Sequence, residues 1–287
     1  MSENNRSDMT FWQHLMELLT HLRTIIYSLI ISTIIALLIP INLDFLKISL
    51  SDPFYPTIIS FIIKDLQDRF LIEGVELLPI SFLAPLVVYV QISFILGFII
   101  SLPVLSNELY KFFQPALYER EKKSLFIFST SFILLFAFGL ITGYFFVVPI
   151  TMRSLFWFSD LLYLTPKYEF SAFFSLVGIT LLLCGLLFTF PLFIIFLVKI
   201  GLIGTEWISK NRKYIYGGLV ILIAIVDPDP SLITEILIFI PLVIITEISI
   251  LISKRIEKSR EQKNKQTNFL LSWGRKIAST IRERYNR

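Results

Sequence analysis

The side chains able to do chemistry in this chain are few, and the first group lies near its start. His14, Glu17 and His21 fall at helical spacing on one side of a segment whose apolar residues lie on another side. Histidine and glutamate are metal-ligand types, but the arrangement is not H-E-x-x-H and the sequence offers no plausible fourth ligand. We therefore predict an amphipathic helix at a membrane interface, with no metal ion and no cofactor.

Catalytic arrangements are equally scarce. The chain has 2 histidines, both near its start, and no Ser/His, Cys/His or paired-Asp arrangement stands within its apolar segments. Its one cysteine, Cys184, lies in an apolar run, so we expect a packed thiol and no disulfide framework. We predict that the protein is not an enzyme.

A second group of charges follows the second long apolar run. Residues 114–123 read Q-P-A-L-Y-E-R-E-K-K and place Glu119 and Glu121 among cations. On composition alone this stretch is typical of a solvated hairpin, whose ion pairs contribute about 0.5 kcal/mol each.

The composition indicates which elements must position these residues. Of the 287 residues 55% are hydrophobic and 17% charged, and the mean hydropathy is +0.74. A soluble domain keeps about 25% charged residues, so this balance excludes a cytosolic globular enzyme. Apolar runs suited to crossing about 30 Å of hydrocarbon occur at residues 24–43, 82–105, 125–149, 173–198, 214–226 and 231–252. We predict an all-α polytopic membrane protein with six transmembrane helices.

The distribution of Lys and Arg predicts the orientation of these helices. Cytoplasmic segments retain positive charge during insertion, and placing both termini in the cytoplasm puts 21 of the 26 Lys and Arg residues on that side. Residues 1–23 then form a cytoplasmic amphipathic helix, residues 24–252 the six-helix transmembrane domain, and residues 253–287 a basic cytoplasmic tail.

Two segments outside the spans carry further patterns. The first outer loop, residues 44–80, contains apolar pieces such as residues 58–63, which we predict as short helices over the outer face because they are too short to span. A loosely ordered loop is the alternative. In the tail, Leu270, Trp273, Ile277 and Ile281 form a helical stripe that suits an anionic inner leaflet, with a disordered solubilising tail as the alternative.

The last two runs are short. The fifth has only 13 residues, about 20 Å of helix, and the sixth is interrupted by Glu235 and Glu247. Adjacent short spans thin the local bilayer or bury their ends against protein, so one hypothesis is a thinned side of the molecule that helps to move a substrate across. The alternative, favoured by position alone, is that the two glutamates snorkel to opposite interfaces.

The fourth run contains a proline and a threonine. Pro191 removes a helical hydrogen bond from the carbonyl of Leu187, which predicts a kink. Thr189 either bonds back to its own helix or contacts a partner helix or substrate.

Several of these motifs, in this order, resemble one protein family. They are H-L-M-E-L before the first span, S-L-P-V and F-F-Q-P-A-L-Y-E-R-E after the second, F-T-F-P in the fourth and D-P-D-P before the sixth. The chain is similar to TatC, the polytopic subunit of the twin-arginine protein translocase, over about residues 11–254. The residue of the fourth span that is often acidic in this family is Thr189 here, and Glu247 matches a glutamate of the family's last span.

The resemblance implies a receptor for twin-arginine signal peptides, in a translocase that exports folded proteins using the proton-motive force. It places the family's signal-binding glutamates at Glu17 and Glu121. Neighbouring arginines present planar donors that suit carboxylates, whereas lysine is a point charge. Further signal-peptide contacts are expected at His14, Phe112, Pro115, Leu117 and Tyr118, and intramembrane polar or partner contacts at Thr189, Glu235 and Glu247.

The resemblance also implies partners and a location. The partners are twin-arginine signal peptides of folded cargo, single-span TatA/TatB-type subunits, membrane lipids and further copies of the chain, with no nucleic acid. The location is the plasma membrane of a prokaryote or an organellar inner membrane. The alternative function is a proton-coupled secondary transporter of a small solute. Such transporters usually show internal repeats, and the two halves of this sequence show no convincing self-similarity.

Overall fold

A computed structural model of the chain describes residues 11–40, 57–72, 74–113, 122–164, 167–199, 201–226 and 232–285. Most of this backbone is helical, which confirms the all-α fold class. The elements in chain order are α1 (Phe11–Leu38), α2 (Ile58–Phe70), β1 (Glu76–Leu78), α3 (Ala84–Phe113), α4 (Lys122–Thr142), a π-helical turn (Gly143–Val147), α5 (Val148–Leu161), β2 (Lys167–Glu169), α6 (Phe170–Lys199), α7 (Thr205–Lys210), α8 (Arg212–Val226) and α9 (Leu232–Tyr285).

Five helical stretches of the described chain are long and apolar enough to cross a membrane. They are Leu18–Leu38, Ala84–Lys111, Phe126–Leu161, Phe170–Lys199 and Leu232–Ser259. The fifth run of the sequence corresponds to α8, whose 15 residues make a helix of about 22 Å. The count of six spans, the cytoplasmic termini and the thinned side of the molecule therefore stay predictions.

The third span differs from its sequence prediction at Pro149. We expected it to end there, but the helix continues to Leu161 through a π-helical turn, Gly143–Val147. A proline clashes with the carbonyl four residues earlier. The wider π turn relieves this crowding, since the Val148 N–H donates to the carbonyl of Gly143, five residues back.

The short helix predicted in the first outer loop is confirmed as α2, although it is longer than its apolar piece. Thr57 caps its first turn by accepting a hydrogen bond from the backbone N–H of Ser60. The hydroxyl of Tyr89 on α3 donates to Thr57 Oγ1 at 2.8 Å and lies 3.1 Å from the carbonyl oxygen of Leu37 on α1. One tyrosine thus joins α2 to two long helices.

A small parallel sheet was not predicted. β1 pairs with β2 in the register Glu76↔Lys167, Leu77↔Tyr168 and Leu78↔Glu169. Each strand has three residues and the two are far apart in the chain, so local alternation of apolar and polar residues could not indicate their pairing.

Glycines allow the long helices to approach closely. A Cβ at Gly97 of α3 would lie 2.7 Å from the Cα of Thr33 on α1. A Cβ at Gly139 of α4 would lie 2.5 Å from the carbonyl oxygen of Cys184 on α6. In lipid no hydrophobic driving force brings helices together, so their association depends on close packing, which small residues at such crossings allow. Cys184 is a buried thiol at this crossing, as the sequence predicted.

The chain divides into two compact units. The first contains the described residues up to Thr189 together with Leu219–Ile240, and the second contains Phe190–Gly218 and the residues from Pro241 onward. The first has an apolar core formed by α2, α3 and α6, with Ile59, Val88, Phe174 and Val177 fully buried. The second has a small core around Ile194, Val198, Ile208 and Ile250.

The last helix is much longer than the sixth apolar run. α9 continues to Tyr285, so the backbone of the basic tail is helical, as its apolar stripe predicted. Of the four stripe residues, the structure describes the side chain of Trp273, which is exposed.

Candidate functional site

A buried carboxylate joins α1 and α3 near the end of α3. Glu108 lies in the last two turns of α3, and its side chain is only 9% exposed. Its Oε2 lies 2.6 Å from Nδ1 of His21 on α1, and its Oε1 accepts a hydrogen bond from Nζ of Lys111 at 2.7 Å. Each carboxylate oxygen therefore has a nitrogen partner, the condition under which a buried charge is tolerated.

The register between α1 and α3 follows from three contacts. Proceeding along α1, His21 meets Glu108, Thr33 faces Gly97, and the carbonyl of Leu37 meets Tyr89. The two helices are therefore antiparallel, and residue numbers on α3 fall as those on α1 rise. Extending this register by four residues, about 6 Å, sets the backbone of Glu17 level with that of Phe112.

This register locates part of the sequence-predicted binding site. The backbone at His14 and Glu17 lies in the first turns of α1, and that at Phe112 in the last turn of α3. The structure describes no side-chain positions for these three residues. Four other predicted contacts, Pro115, Leu117, Tyr118 and Glu121, lie outside the described residues, and their roles stay predictions.

Glu247 has specific partners within the second unit. Its Oε1 accepts a hydrogen bond from Nη1 of Arg212 at 2.9 Å and a second one from the hydroxyl of Tyr216. The ion pair joins α9 to the first turn of α8. Glu247 is thus a polar link between two helices of this chain, and its contact with a partner stays a prediction.

The other two intramembrane candidates have different surroundings. Thr189 is buried, and its hydroxyl donates to the carbonyl of Leu186 on its own helix at 2.7 Å. The interpretation in which it bonds back to its helix is confirmed. Glu235 is half-buried in the first turn of α9, and its contact with a partner stays a prediction.

Sequence reasoning missed Glu108 and Lys111 on α3, and Arg212 and Tyr216 on α8. A signal for Glu108 was present, because it stands three residues before Lys111 inside an otherwise apolar helix, a spacing at which opposite charges meet. Its contact with His21, 87 residues away, required knowledge of the fold.

Comparison with known proteins identifies the family. Residues 13–241 match the family model for TatC, the Sec-independent protein translocase protein. The chain belongs to the TatC family. It is 33% identical over 249 residues to the Sec-independent protein translocase protein TatC of Aquifex aeolicus (strain VF5), covering 86% of this chain and 98% of that protein. It is 30% identical to TatC of Blattabacterium sp. subsp. Periplaneta americana (strain BPLAN), over 90% of this chain and the whole of that protein.

Solved structures agree with this assignment to TatC. A crystal structure of the twin arginine translocase receptor TatC matches with a TM-score of 0.64 and 31% identity, covering 85% of this chain and 99% of that one. A second crystal structure of that receptor, in the detergent DDM, matches with a TM-score of 0.65. The chain is therefore a multi-pass membrane component of the twin-arginine translocase. This membership favours protein translocation over the small-solute transporter.

Proposed function

We propose that this TatC-family chain binds twin-arginine signal peptides through Glu17 and Glu121, beside Phe112 and the turn at residues 115–118. The supporting observation is the antiparallel register of α1 and α3, which sets residue 17 level with residue 112 at the point where the chain enters that turn. This register supports a site in which Glu17 acts together with the turn that follows α3.

The chemistry of such a site explains why it selects arginine over lysine in the signal peptide. Two neighbouring guanidinium groups carry charges that do not deprotonate and offer paired N–H donors that match carboxylates. Each charge-assisted contact contributes about 1.5–3 kcal/mol, and lysine cannot form the bidentate pair. The apolar stretch of the signal peptide then lies along the spans.

The remaining parts of the proposal concern partners and location. The chain acts in the plasma membrane of a prokaryote, beside single-span TatA/TatB-type subunits and further copies of itself. Thr189, Glu235 and Glu247 are proposed intramembrane polar or partner contacts. Energy comes from the proton-motive force, and the chain itself catalyses no covalent reaction.

Peptide binding to the detergent-solubilised full chain tests the proposal. A twin-arginine peptide and its twin-lysine version are titrated against wild type, Glu17→Gln and Glu121→Gln. Loss of one charge-assisted contact weakens binding of the arginine peptide about tenfold or more. Glu119→Gln is the matched control, since it removes a carboxylate from the same turn, and it leaves the affinity unchanged.

The thermal unfolding temperature of each variant separates loss of binding from loss of fold. Equal binding of both peptides by all four proteins would contradict the proposal and restore the small-solute transporter as the leading function.

A further inference from the structure

An apolar cavity of about 360 Å³ lies beside α2 in the first unit. Its walls are mostly hydrocarbon side chains from four helices, among them Ile62 of α2, Ile95 of α3, Leu140 of α4 and Leu181 of α6, and Asp65 and Tyr144 also line it. Its volume falls in the range of about 300–1,000 Å³ that is typical of small-ligand sites.

The position of the cavity identifies the medium that fills it. At 1.5 Å per residue, Ile92 and Ile99 stand about 12 Å and 22 Å along α3 from its first residue, which is within the roughly 30 Å of bilayer hydrocarbon. Ile141 and Phe145 on the rim are 54% and 52% exposed, so the cavity opens towards lipid. An empty cavity would lose dispersion contacts, and apolar cavities do not hold water. An acyl chain is the occupant that these surroundings supply.

Charged groups stand at the mouth of this cavity. The π turn directs Tyr144 and Phe145 towards Arg69 of α2, whose guanidinium carbon lies 4.5 Å and 4.8 Å from the centres of their rings. The hydroxyl of Tyr144 donates to Oδ2 of Asp65 at 2.6 Å. Asp65 and Arg69 are exposed and one helical turn apart, so the mouth presents one anion and one cation side by side.

We propose that this site binds a phosphoethanolamine lipid from the leaflet on the α2 side, with one acyl chain in the cavity. The lipid phosphate pairs with Arg69 and its primary ammonium with Asp65. An ionised carboxylate has about four acceptor positions, so the bond from Tyr144 leaves Asp65 able to accept from the ammonium.

The same geometry disfavours other headgroups. A choline headgroup has no N–H to donate, and quaternary ammonium groups bind over aromatic faces. At this mouth Arg69 already lies over Tyr144 and Phe145. A phosphoglycerol headgroup carries the same phosphate but no ammonium, so it lacks the ion pair with Asp65.

Lipid titration of the delipidated full chain in detergent tests the proposal, with bound lipid counted by native mass spectrometry. The probes are phosphatidylethanolamine, phosphatidylcholine and phosphatidylglycerol with identical acyl chains. Wild type binds the ethanolamine lipid about tenfold more tightly than the choline lipid, the factor expected for one charge-assisted contact. Arg69→Gln weakens ethanolamine-lipid binding by a similar factor, and Asp65→Asn removes the preference for ethanolamine over glycerol.

Two further variants complete the experiment. Lys64→Gln removes an exposed cation from the same helix outside the cavity lining, and it leaves all three affinities unchanged. Ile141→Trp narrows the lipid-facing rim and weakens binding of every lipid, while its exposed position preserves the fold. Should Arg69→Gln fail to fold, the altered preference of Asp65→Asn decides the question.

Three results would overturn the proposal. The first is equal binding of the three lipids by wild type. The second is an equal loss in Lys64→Gln and Arg69→Gln. The third is capture of a signal peptide in place of lipid by a photo-crosslinking side chain introduced at Leu140, which would assign the cavity to the apolar stretch of the cargo.

Discussion

At Glu108 a single carboxylate holds two basic side chains from two helices. Because this carboxylate is largely removed from solvent, its contribution to stability depends on its two basic partners. Removing the acid takes that acceptor from His21 and Lys111, and a hydrogen bond to a charged group contributes about 1.5–3 kcal/mol.

We predict that Glu108→Ala lowers the free energy of unfolding by about 1–3 kcal/mol. Glu108→Gln is expected to lose less, since its amide oxygen still accepts a hydrogen bond from Lys111. The measurement is the thermal unfolding temperature of the detergent-solubilised protein, with Asp68→Ala, an exposed acid of α2, as the control that stays within about 0.5 kcal/mol of wild type. A Glu108→Ala protein as stable as this control would refute the role of the cluster.

Individual residues were the least predictable part of the molecule. The back-bonded hydroxyl of Thr189 could be anticipated, because its acceptor lies on the same helical turn. The partners of Glu247 lie 31 and 35 residues away on another helix, and no local pattern specifies such a contact. The same is true of His21 and Glu108.

At the scale of elements, the packing of α4 against α6 at Gly139 depends on the absence of a side chain. A Cβ at Gly139 would meet the backbone carbonyl of Cys184, which cannot rotate away. Gly217 of α8 provides a contrast, since a Cβ added there meets no atom within 4 Å.

We predict that Gly139→Ala destabilises the protein by about 1–3 kcal/mol through overpacking. Gly217→Ala is expected to be neutral or to stabilise by up to about 1 kcal/mol, because alanine favours helix more than glycine does. Denaturation in a mild detergent compares the two variants directly. Equal behaviour of both would show that α4 and α6 do not pack at Gly139.

A second element-scale prediction concerns the short helix α8. Glu247 links α9 to Arg212 and Tyr216, which lie in the first turns of α8. Glu247→Ala is therefore expected to increase hydrogen exchange at residues 212–218 by about tenfold. That factor corresponds to a loss of roughly 1.4 kcal/mol of local stability. Glu235→Ala is the control on the same helix and leaves that exchange unchanged. Unaltered exchange in both variants would contradict the proposed link.

Helices could be predicted where they depend on residues that are close together in the sequence. Apolar runs predicted the long helices, and the short apolar piece at residues 58–63 predicted a helix where α2 lies. The continuation past Pro149 was missed, because the π turn that accommodates this proline leaves no pattern in hydropathy.

At the scale of the whole molecule, hydropathy and charge distribution were enough to predict a helical membrane protein, because a bilayer imposes long apolar helices. The motifs sufficed for the family, which residues 13–241 confirm. What neither supplied was the relative register of α1 and α3, which depends on Gly97, Tyr89 and Glu108 together. That register carries the central claim, that Glu17 and Glu121 form one site for a pair of arginines.

The distance between those two residues is the most direct test of this claim. Spin labels at Glu17→Cys and Glu121→Cys, in a Cys184→Ala background, are measured by pulsed dipolar spectroscopy with the protein in lipid nanodiscs. A separation of at most two helix diameters, about 20–24 Å, is predicted, with a much longer one for the control pair at Glu17 and Ile80, which precedes the opposite end of α3. A Glu17–Glu121 separation beyond about 30 Å, the thickness of the hydrocarbon core, would contradict a shared arginine site.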